Sequence, residues 1–433
     1  MADAVPLIDL DVAPRAPADA ESPGPRIAVP RPALLLGVLV AALLTLAAAT
    51  APPPAMRPVL AAGGTAAAAF TLGPDALYTA AFGQNPNSES GVRRYALPGG
   101  EQVWATSLPQ NVQNLVLDGG ILLARSGAEP RVSFLDARDG RVLWRLDAPN
   151  TSVITMTGGR ALLRADTEDG GTELRLVSAR TGATDWTRII DGVGEIRNDD
   201  LFEDDPDRIV FVGVDGRVTT LRFADGTVLG AGDLGVRLPM EFTDDYLTGF
   251  VGVTVSGDRL YLSRGDDGHA SLTAFGLPDL AERWRTVDGP AGWVNDCGPV
   301  LCVSDGARLS GLDPADGSVR WSDPAWGGAS SLGDGTLLAY DRQEEAGSAI
   351  LDARTGAVRR ELGHSIVIGG MELRADTEIL GRTWVNVADP AAGDGAVHTV
   401  GALDTAAPYG CTALAVYLAC PTSAGPTTVW RIP

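Results

Sequence analysis

The chain contains no lysine: its 34 basic residues are all arginines, and 55 acidic residues outnumber them to leave a net charge of −21. Nucleic acids and anionic membrane surfaces are recognised through concentrated positive charge. The charge balance therefore argues against both as partners. Together with abundant alanine, glycine and proline, the lack of lysine is typical of GC-rich coding, such as that of actinobacteria.

Histidine is nearly as scarce, since the chain has only His269, His364 and His398, and none of them lies in a motif. His269 follows an Asp-Asp-Gly turn sequence, which favours an exposed loop position. No nucleophile-elbow pattern accompanies these residues, so we expect no Ser-His-Asp hydrolytic triad.

Cysteine is limited to Cys297, Cys302, Cys411 and Cys420. Four thiols allow three pairings, of which the local one (297 with 302, 411 with 420) is the simplest because each pair brackets a short run that could fold as a hairpin. Buried free thiols are the alternative, and neither spacing is the two-residue spacing of a zinc site. Disulfides would agree with an oxidising location outside the cytoplasm.

An acidic stretch at residues 198–207 holds enough carboxylates to attract Ca²⁺. It lacks the alternating Asp-x-Asp-x-Asp-Gly spacing of a dedicated calcium loop. We therefore interpret it as a solvated loop and expect no metal site.

The N-terminal part differs in composition from the rest of the chain. Residues 1–32 are rich in proline, alanine and aspartate, which predicts a disordered cytoplasmic tail. Residues 33–50 form an uncharged apolar run, long enough for a single transmembrane helix, with cleavage as a signal peptide as the alternative. Arg26 and Arg31 precede the run and favour a cytoplasmic N-terminus with the remainder outside the cell. Residues 51–68 are expected to be a Pro/Ala/Gly linker.

Beyond residue 68 the chain repeats itself with a period of roughly 40 residues, which is the length of a propeller blade. Each copy has an apolar strand end, a polar turn closing on glycine, a short strand and then tryptophan. The clear copies are residues 134–146, 176–188, 311–323 and 350–362, and the weaker ones are residues 95–107, 221–233 and 274–286. In two copies Gly230 and Arg360 stand where the others have tryptophan.

The spacing has a physical explanation. An Asp-Gly or Thr-Gly turn supplies the positive φ that a tight hairpin requires. Alternation along the following strand turns one side inward. A small sheet cannot bury both faces alone, so a large flat indole at a fixed place could fill the gap to the next blade.

These copies resemble the propeller repeat of pyrroloquinoline-quinone (PQQ) dehydrogenases, which also occurs in non-enzymatic relatives of the BamB type. The resemblance covers residues 69–433 and implies an all-β propeller of four-stranded blades. The seven copies, with the strand-like runs after residue 363 interpreted as one more blade, predict about eight blades, or seven as the alternative, closed where the termini meet. The residues that carry the repeat are Trp104, Asp136, Gly140, Trp144, Gly182, Trp186, Trp284, Asp313, Gly317, Trp321, Asp352 and Gly356.

The resemblance does not extend to the chemistry of the enzymes. In those dehydrogenases PQQ lies on a tryptophan, faces a disulfide between adjacent cysteines and binds Ca²⁺ beside an aspartate. No two cysteines are adjacent here, so we expect neither PQQ nor Ca²⁺ and no catalytic residue.

Three functions follow as hypotheses. The first is a non-enzymatic scaffold that binds a protein or another cell-envelope partner at a propeller face. The alternatives are a PQQ-dependent oxidoreductase and an extracytoplasmic ligand sensor.

Overall fold

Short runs of aliphatic and β-branched residues, separated by turns that close on glycine, form strands along the described chain. The computed structural model describes residues 55–62, 67–81, 90–127, 131–197, 206–238, 250–266, 269–341, 347–376, 378–388, 397–404, 410–422 and 425–433. All of them belong to the compact unit Pro54–Pro433. Within these ranges the regular secondary structure consists of 36 strands, with no α-helix.

The strands form nine antiparallel four-stranded sheets within the described residues, and we number these blades in chain order. Blade 1 contains β2 (Ala67–Leu72), β3 (Ala76–Ala81), β4 (Ser90–Ala96) and β5 (Gln102–Leu108); blade 2 contains β6 (Val112–Asp118), β7 (Ile121–Ser126), β8 (Arg131–Asp136) and β9 (Val142–Asp147); blade 3 contains β10 (Thr151–Thr157), β11 (Arg160–Asp166), β12 (Thr172–Ser178) and β13 (Thr184–Ile190).

The next three blades have the same order. Blade 4 contains β14 (Gly194–Ile196), β15 (Arg208–Gly213), β16 (Arg217–Arg222) and β17 (Val228–Asp233); blade 5 contains β18 (Phe250–Ser256), β19 (Arg259–Asp266), β20 (His269–Gly276) and β21 (Glu282–Val287); blade 6 contains β22 (Trp293–Asp296), β23 (Leu301–Ser304), β24 (Leu309–Leu312) and β25 (Val319–Asp323).

The last three blades include the one that closes the ring. Blade 7 contains β26 (Trp326–Gly333), β27 (Thr336–Asp341), β28 (Ser348–Asp352) and β29 (Val358–Gly363); blade 8 contains β30 (Ser365–Ile368), β31 (Met371–Ala375), β32 (Arg382–Ala388) and β33 (Val397–Asp404); blade 9 contains β34 (Thr412–Leu414), β35 (Tyr417–Pro421), β36 (Thr427–Arg431) and β1 (Arg57–Ala62).

The blades surround a common axis. First strands of neighbouring blades contact one another, as β2 does β6 and β18 does β22, so the first strand of each blade is the inner one. The ring closes because β1, from the start of the described chain, pairs antiparallel with β36 as the outer strand of blade 9. Closure gives every blade a neighbour on both sides, so that both faces of each sheet are covered.

One face of the ring carries the turns that join first to second strands and third to fourth strands. In blade 2 these are the turns at residues 119–120 and 137–141, and we call this side the turn face. The opposite side carries the connections between second and third strands and between blades, and we call it the loop face.

Apolar side chains are buried between blades rather than within one sheet. Eight of the nine junctions hold a cluster of buried apolar residues drawn from both neighbours, for example Trp104 of blade 1 with Leu122 and Leu135 of blade 2. At the junction of blades 7 and 8 the described residues form no such cluster. In this respect the junction of blades 7 and 8 differs from the other eight.

The structure corrects the blade count from eight to nine. The strand-like runs after residue 363 form not one blade but blade 8 and the first three strands of blade 9. The fourth strand of blade 9 comes from β1, which lies inside the range 51–68 that the sequence interpretation assigned to a linker. The count was wrong because one blade is assembled from both ends of the propeller.

The predicted tail (1–32) and the predicted transmembrane helix (33–50) lie outside the described residues. In the part of the chain that the structure describes, no helix is long and apolar enough to cross a bilayer.

Candidate functional site between blades 7 and 8

Five blade junctions are sealed by an indole. The tryptophan lies on the fourth strand of one blade, and its Nε1–H donates to a carbonyl in the turn before the fourth strand of the next blade, at 2.9–3.1 Å. The pairs are Trp104 with Ala137, Trp144 with Ala179, Trp186 with Phe223, Trp284 with Pro314 and Trp321 with Ala353. The indoles predicted from the repeat are therefore sandwiched between blades.

A bulge in every blade aims this residue across the junction. The register between third and fourth strands shifts by one residue at the same place, as between Phe134 and Leu135 in blade 2. A bulge adds one residue and increases the local twist. As a result Trp144 pairs with Phe134, stacks on its ring at 4.0 Å between centroids and reaches blade 3.

The turn glycine of the repeat has two roles. Gly140 has φ of +74°, which favours glycine, and its N–H donates to the Asp136 carbonyl at 2.9 Å. A methyl group on Gly140 would lie 2.5 Å from the Trp104 ring of the preceding blade. Glycine is thus required both by the turn and by the indole lying against it.

The repeat aspartates hold arginines at the same turns. Asp136 is buried and binds Arg138 of its own turn and Arg180 of blade 3, each at 3.0 Å. The hydrogen bond from Arg138 is the main cause that holds the pKa of Asp136 well below its usual range. Asp352 pairs with Arg359, and that hydrogen bond lowers the pKa of Asp352 to about 2. These carboxylates are structural anions of the turn face.

The junction between blades 4 and 5 lacks an indole and is filled differently. Gly230 occupies the tryptophan position, and a methyl group there would lie 2.1 Å from the Pro278 carbonyl oxygen of blade 5. In the turn of blade 5, Leu280 takes the glycine position, with φ of +50° and its N–H bonded to Gly276. Leu280 packs against the cluster of this junction. Compared with the indole junctions, the small residue, Gly230, is on the fourth strand and the large residue, Leu280, is in the turn of the next blade.

The two junctions at ring closure also lack an indole. Gly401 takes the position in blade 8, and Met56 fills the space, since a methyl group on Gly401 would lie 2.5 Å from the Met56 side chain. Leu60 takes the position in blade 9 and lies against Gly100 of blade 1. Both junctions remain filled with apolar atoms.

At the junction of blades 7 and 8 the tryptophan position holds a charge. Arg360 pairs with Ile350 across the bulge, which is the register of the indoles. Its guanidinium lies 3.5 Å from the carboxylate of Glu372 on β31, whose side chain is 8% exposed. Burying a carboxylate is costly unless it is paired and hydrogen-bonded.

The wall of blade 8 that meets Arg360 is polar as well. Glu372 pairs with Asn386 across β31 and β32, at the register where blade 2 has the buried pair Leu122 and Leu135. Each pair begins two residues after a Gly-Gly turn. The Asn386 amide donates to Glu372 at 3.4 Å and accepts from the Thr399 hydroxyl at 2.7 Å. Blade 8 has therefore replaced a leucine pair by hydrogen-bonded polar groups.

Beside these groups lies a cavity of about 710 Å³, and its lining residues lie at or near the turn-face ends of their strands. Its lining consists of Leu332, Thr336, Ile350, Arg359 and Arg360 of blade 7 and Val367, Gly370, Glu372, Ala388 and Val397 of blade 8. We call this cavity the 7/8 cleft. Pockets of this size hold small molecules or partner side chains.

The sequence interpretation noted Arg360 as a degenerate copy but missed the cleft. Glu372 and Asn386 had not been singled out. The signal was available in the alignment of Gly-Gly-Met-Glu-Leu (369–373) with Gly-Gly-Ile-Leu-Leu (119–123), where the glutamate replaces a leucine of the buried face.

The remaining predicted site residues lie elsewhere. Cys297 is bonded to Cys302 in blade 6 and Cys411 to Cys420 in blade 9, which is the local pairing. His269 is exposed and lies 2.8 Å from Asp288. Most of the acidic stretch falls outside the described residues, and within the described ranges no group of three His, Cys, Asp or Glu side chains could hold a metal.

Neither the five repeat indoles nor the two disulfides supply the cofactor platform and the adjacent-cysteine disulfide of a PQQ dehydrogenase. The five repeat indoles are covered by the turns of the next blade, as Gly182 covers Trp144 with 2.9 Å from its methyl position to the ring. The two disulfides join cysteines five and nine residues apart, so neither is a bond between adjacent cysteines.

Comparison with known proteins finds similar folds and a similar repeat, and it identifies no activity. The structure is similar to the crystal structure of BamB from Moraxella catarrhalis, with 14% identity, a TM-score of 0.46, and coverage of 87% of this chain and 100% of that one. It is also similar to the computationally designed Ika8 protein (12%, TM-score 0.47, 87% and 100%) and to Sqt1 of Saccharomyces cerevisiae (11%, TM-score 0.45, 88% and 100%).

A search of curated proteins finds no match. A family model described as outer membrane protein assembly factor BamB matches residues 88–235, about a third of the chain. Blades 1 to 4 thus contain the stretch that is similar to the BamB-type repeat.

Proposed function

We propose that this propeller is a non-enzymatic protein-binding scaffold and that the 7/8 cleft is where it holds its partner. The observation that carries the proposal is that the described residues form no buried apolar cluster at the junction of blades 7 and 8. Eight junctions hold a cluster of buried apolar side chains, whereas this one has buried polar groups beside a cavity of about 710 Å³. The cavities described at the junctions of blades 2 and 3 and of blades 3 and 4 are smaller, at about 290 Å³ and 80 Å³. Polar groups in a junction contribute less to ring stability than leucine and tryptophan would, so a recognition role explains them better.

The rim of the 7/8 cleft supports a protein partner. Two side chains of its lining, Leu332 and Val397, are exposed and apolar. Val358 is a position shared with other blades, since Val228 and Val319 are exposed at the same place, so only the first two are particular to the cleft. Exposed apolar residues with polar neighbours are typical of interaction surfaces. The family whose model matches residues 88–235 is described as an assembly factor, which agrees with this class of function.

Site-specific photocrosslinking in cells tests the proposal. A photoreactive residue at Leu332 or Val397 is expected to give one reproducible crosslinked protein, and the same residue at Ile189, exposed on the loop face, is the matched control. The crosslink should weaken when Arg360→Trp places an indole in the cleft, as at the five indole junctions. Equal crosslinking from both faces, or none from either cleft position, would refute the assignment.

We further propose that the propeller lies outside the cytoplasm, held by residues 33–50 with the N-terminus inside the cell. The apolar run, the preceding arginines and the two disulfides support this location. Alkylation of acid-quenched cells should find all four thiols blocked until reduction, and alkaline carbonate should leave the full-length protein in the membrane. Release of a chain lacking residues 1–50 would instead support the cleaved-signal alternative.

A further inference from the structure

We propose that the occupant of the 7/8 cleft is an uncharged aromatic side chain of the partner protein, with tryptophan as the best fit. This inference rests on the proposed function and adds the chemistry of the occupant. It follows from the shape of the junction, from the side chains that line the cleft and from their charge.

The shape is that of a junction built to take an indole. At five junctions the same register position carries a tryptophan that fills the space between two blades. At the 7/8 junction the chain supplies Arg360, and a cavity of about 710 Å³ lies beside it between the blades. An aromatic side chain from a partner would restore the packing that the other junctions obtain within the chain.

The lining suits an aromatic ring with a polar edge. Ile350 and Val367 offer apolar walls from the two blades, and the planar guanidinium of Arg360 offers a surface on which a ring can stack. The Glu372 carboxylate lies beside the guanidinium and could accept from an indole N–H. Blade 8 already contains such a stack, with Arg382 lying 5.6 Å from the ring centroid of Trp384.

The charge of the cleft favours a neutral occupant. Arg360 is paired with Glu372, and Arg359, the other cation of the lining, is paired with Asp352. A carboxylate or phosphate would have to compete with these pairs, and a lysine or arginine would meet two guanidinium groups. A desolvated ion without a full counter-charge is unfavourable, whereas an aromatic ring adds no charge and is the residue type that most often anchors protein interfaces.

Saturation-transfer NMR on the purified full-length protein tests the inference, with the tripeptide amides Ala-Trp-Ala and Ala-Leu-Ala as probes. We expect transfer to the indole protons and at least tenfold weaker binding of the leucine peptide. Arg360→Trp should weaken binding of the tryptophan peptide at least tenfold, and Ala388→Leu, which narrows the cleft from blade 8, should do the same. Val287→Ala, on the loop face, is the matched control and should change nothing.

Each outcome is decisive. Equal binding of the two peptides, or unchanged binding to both cleft variants, would overturn an aromatic occupant. Absence of peptide binding while Leu332 and Val397 still crosslink to a partner would reject the aromatic inference and leave the proposed function intact. Peptide binding without any crosslinked partner would reject the protein-binding function instead, in favour of a small aromatic ligand.

Discussion

At the scale of single residues, the ring depends on contacts in which one residue serves two blades. Gly140 closes the turn of blade 2, and the Trp104 ring of blade 1 packs directly against it. Asp136 anchors its own turn through Arg138 and the next blade through Arg180. Substitutions at these positions should therefore lower the free energy of unfolding by more than the loss of the turn conformation alone would.

Gly140 and Gly120 allow the two roles of glycine to be separated. Their φ angles are +74° and +75°, but a methyl group on Gly120 would meet no atom within 4 Å. Gly120→Ala should cost about 1 kcal/mol for the strained φ alone. Gly140→Ala should cost about 3 kcal/mol, because the methyl also overlaps the Trp104 ring. Urea unfolding of both variants measures the difference, and equal losses would mean that the indole contact is irrelevant.

The low pKa of Asp136 predicts that the free energy of unfolding depends on pH in the acidic range. This pKa is held below the value near 3.9 of an unfolded aspartate, so the unfolded chain binds the proton first. The stabilisation is therefore complete above about pH 4 and is lost as the pH falls toward the folded pKa. Asp136→Asn should cost about 2 kcal/mol at pH 7, and its difference from the wild type should shrink between pH 4 and pH 2.

Asp147 provides the control for that measurement. It forms an exposed pair with Arg131 in the same blade at 3.5 Å. Exposed pairs contribute little, so Asp147→Asn should shift the free energy of unfolding by less than about 0.5 kcal/mol at either pH. A pH-independent loss for Asp136→Asn would contradict the assigned role of the buried carboxylate.

At the scale of strands and turns, neighbouring blades have changed together. Blade 4 lacks its tryptophan and blade 5 lacks the turn glycine that would receive it. The two departures complement each other, because Leu280 and the Pro278 carbonyl occupy the space over Gly230. An exchanged pair of this kind is a property of the junction and cannot be seen in either blade alone.

A double-mutant cycle measures this complementarity. Gly230→Trp should destabilise by about 3 kcal/mol through overpacking. Leu280→Gly should destabilise by about 1 kcal/mol, because relief of the positive φ at Leu280 offsets part of the lost packing. The double variant, which restores the residues of the other junctions, should be more stable than the sum predicts by at least about 1 kcal/mol. Additive losses in thermal or urea unfolding would show that the two sites are independent.

At the scale of the whole molecule, ring closure depends on a strand from the opposite end of the chain. β1 completes blade 9, and Met56 and Leu60 fill the two junctions beside it. Without β1, the edge of β36 would be exposed and two apolar positions would be empty. Exposed edges invite association with other chains.

Two shortened proteins test the closure. A chain starting at Pro54 should unfold at nearly the same urea concentration as the full chain. A chain starting after Ala62 should lose about 3 kcal/mol, because Met56, Val59 and Leu60 are partly buried and each contributes less than the roughly 1.5–3 kcal/mol of a fully buried side chain. It should also associate in light scattering. Unchanged stability of the shorter chain would show that β1 is dispensable.

Within each blade, the sequence alone was sufficient for the fold class and for the repeat. Strand alternation, positive-φ glycine turns and a tryptophan at constant spacing are local features, so Trp144 and Gly140 could be assigned to a propeller blade without coordinates. The positions of Gly230 and Arg360 in the repeat were also assigned correctly.

Only the tertiary structure decided the number of blades and the existence of the 7/8 cleft. There are nine rather than eight blades because the seven strands after residue 363 divide between two sheets, the second of which is completed by β1. Closure where the termini meet was predicted, but how these strands divide between sheets has no local signal. The cleft requires Arg360 to meet Glu372 across a junction, and which residues meet there depends on how two separate sheets pack. Sequence periodicity determines the strands and turns of each blade. The contacts between blades determine which junctions are packed with apolar side chains and where a cleft lies, because they depend on how separate sheets meet.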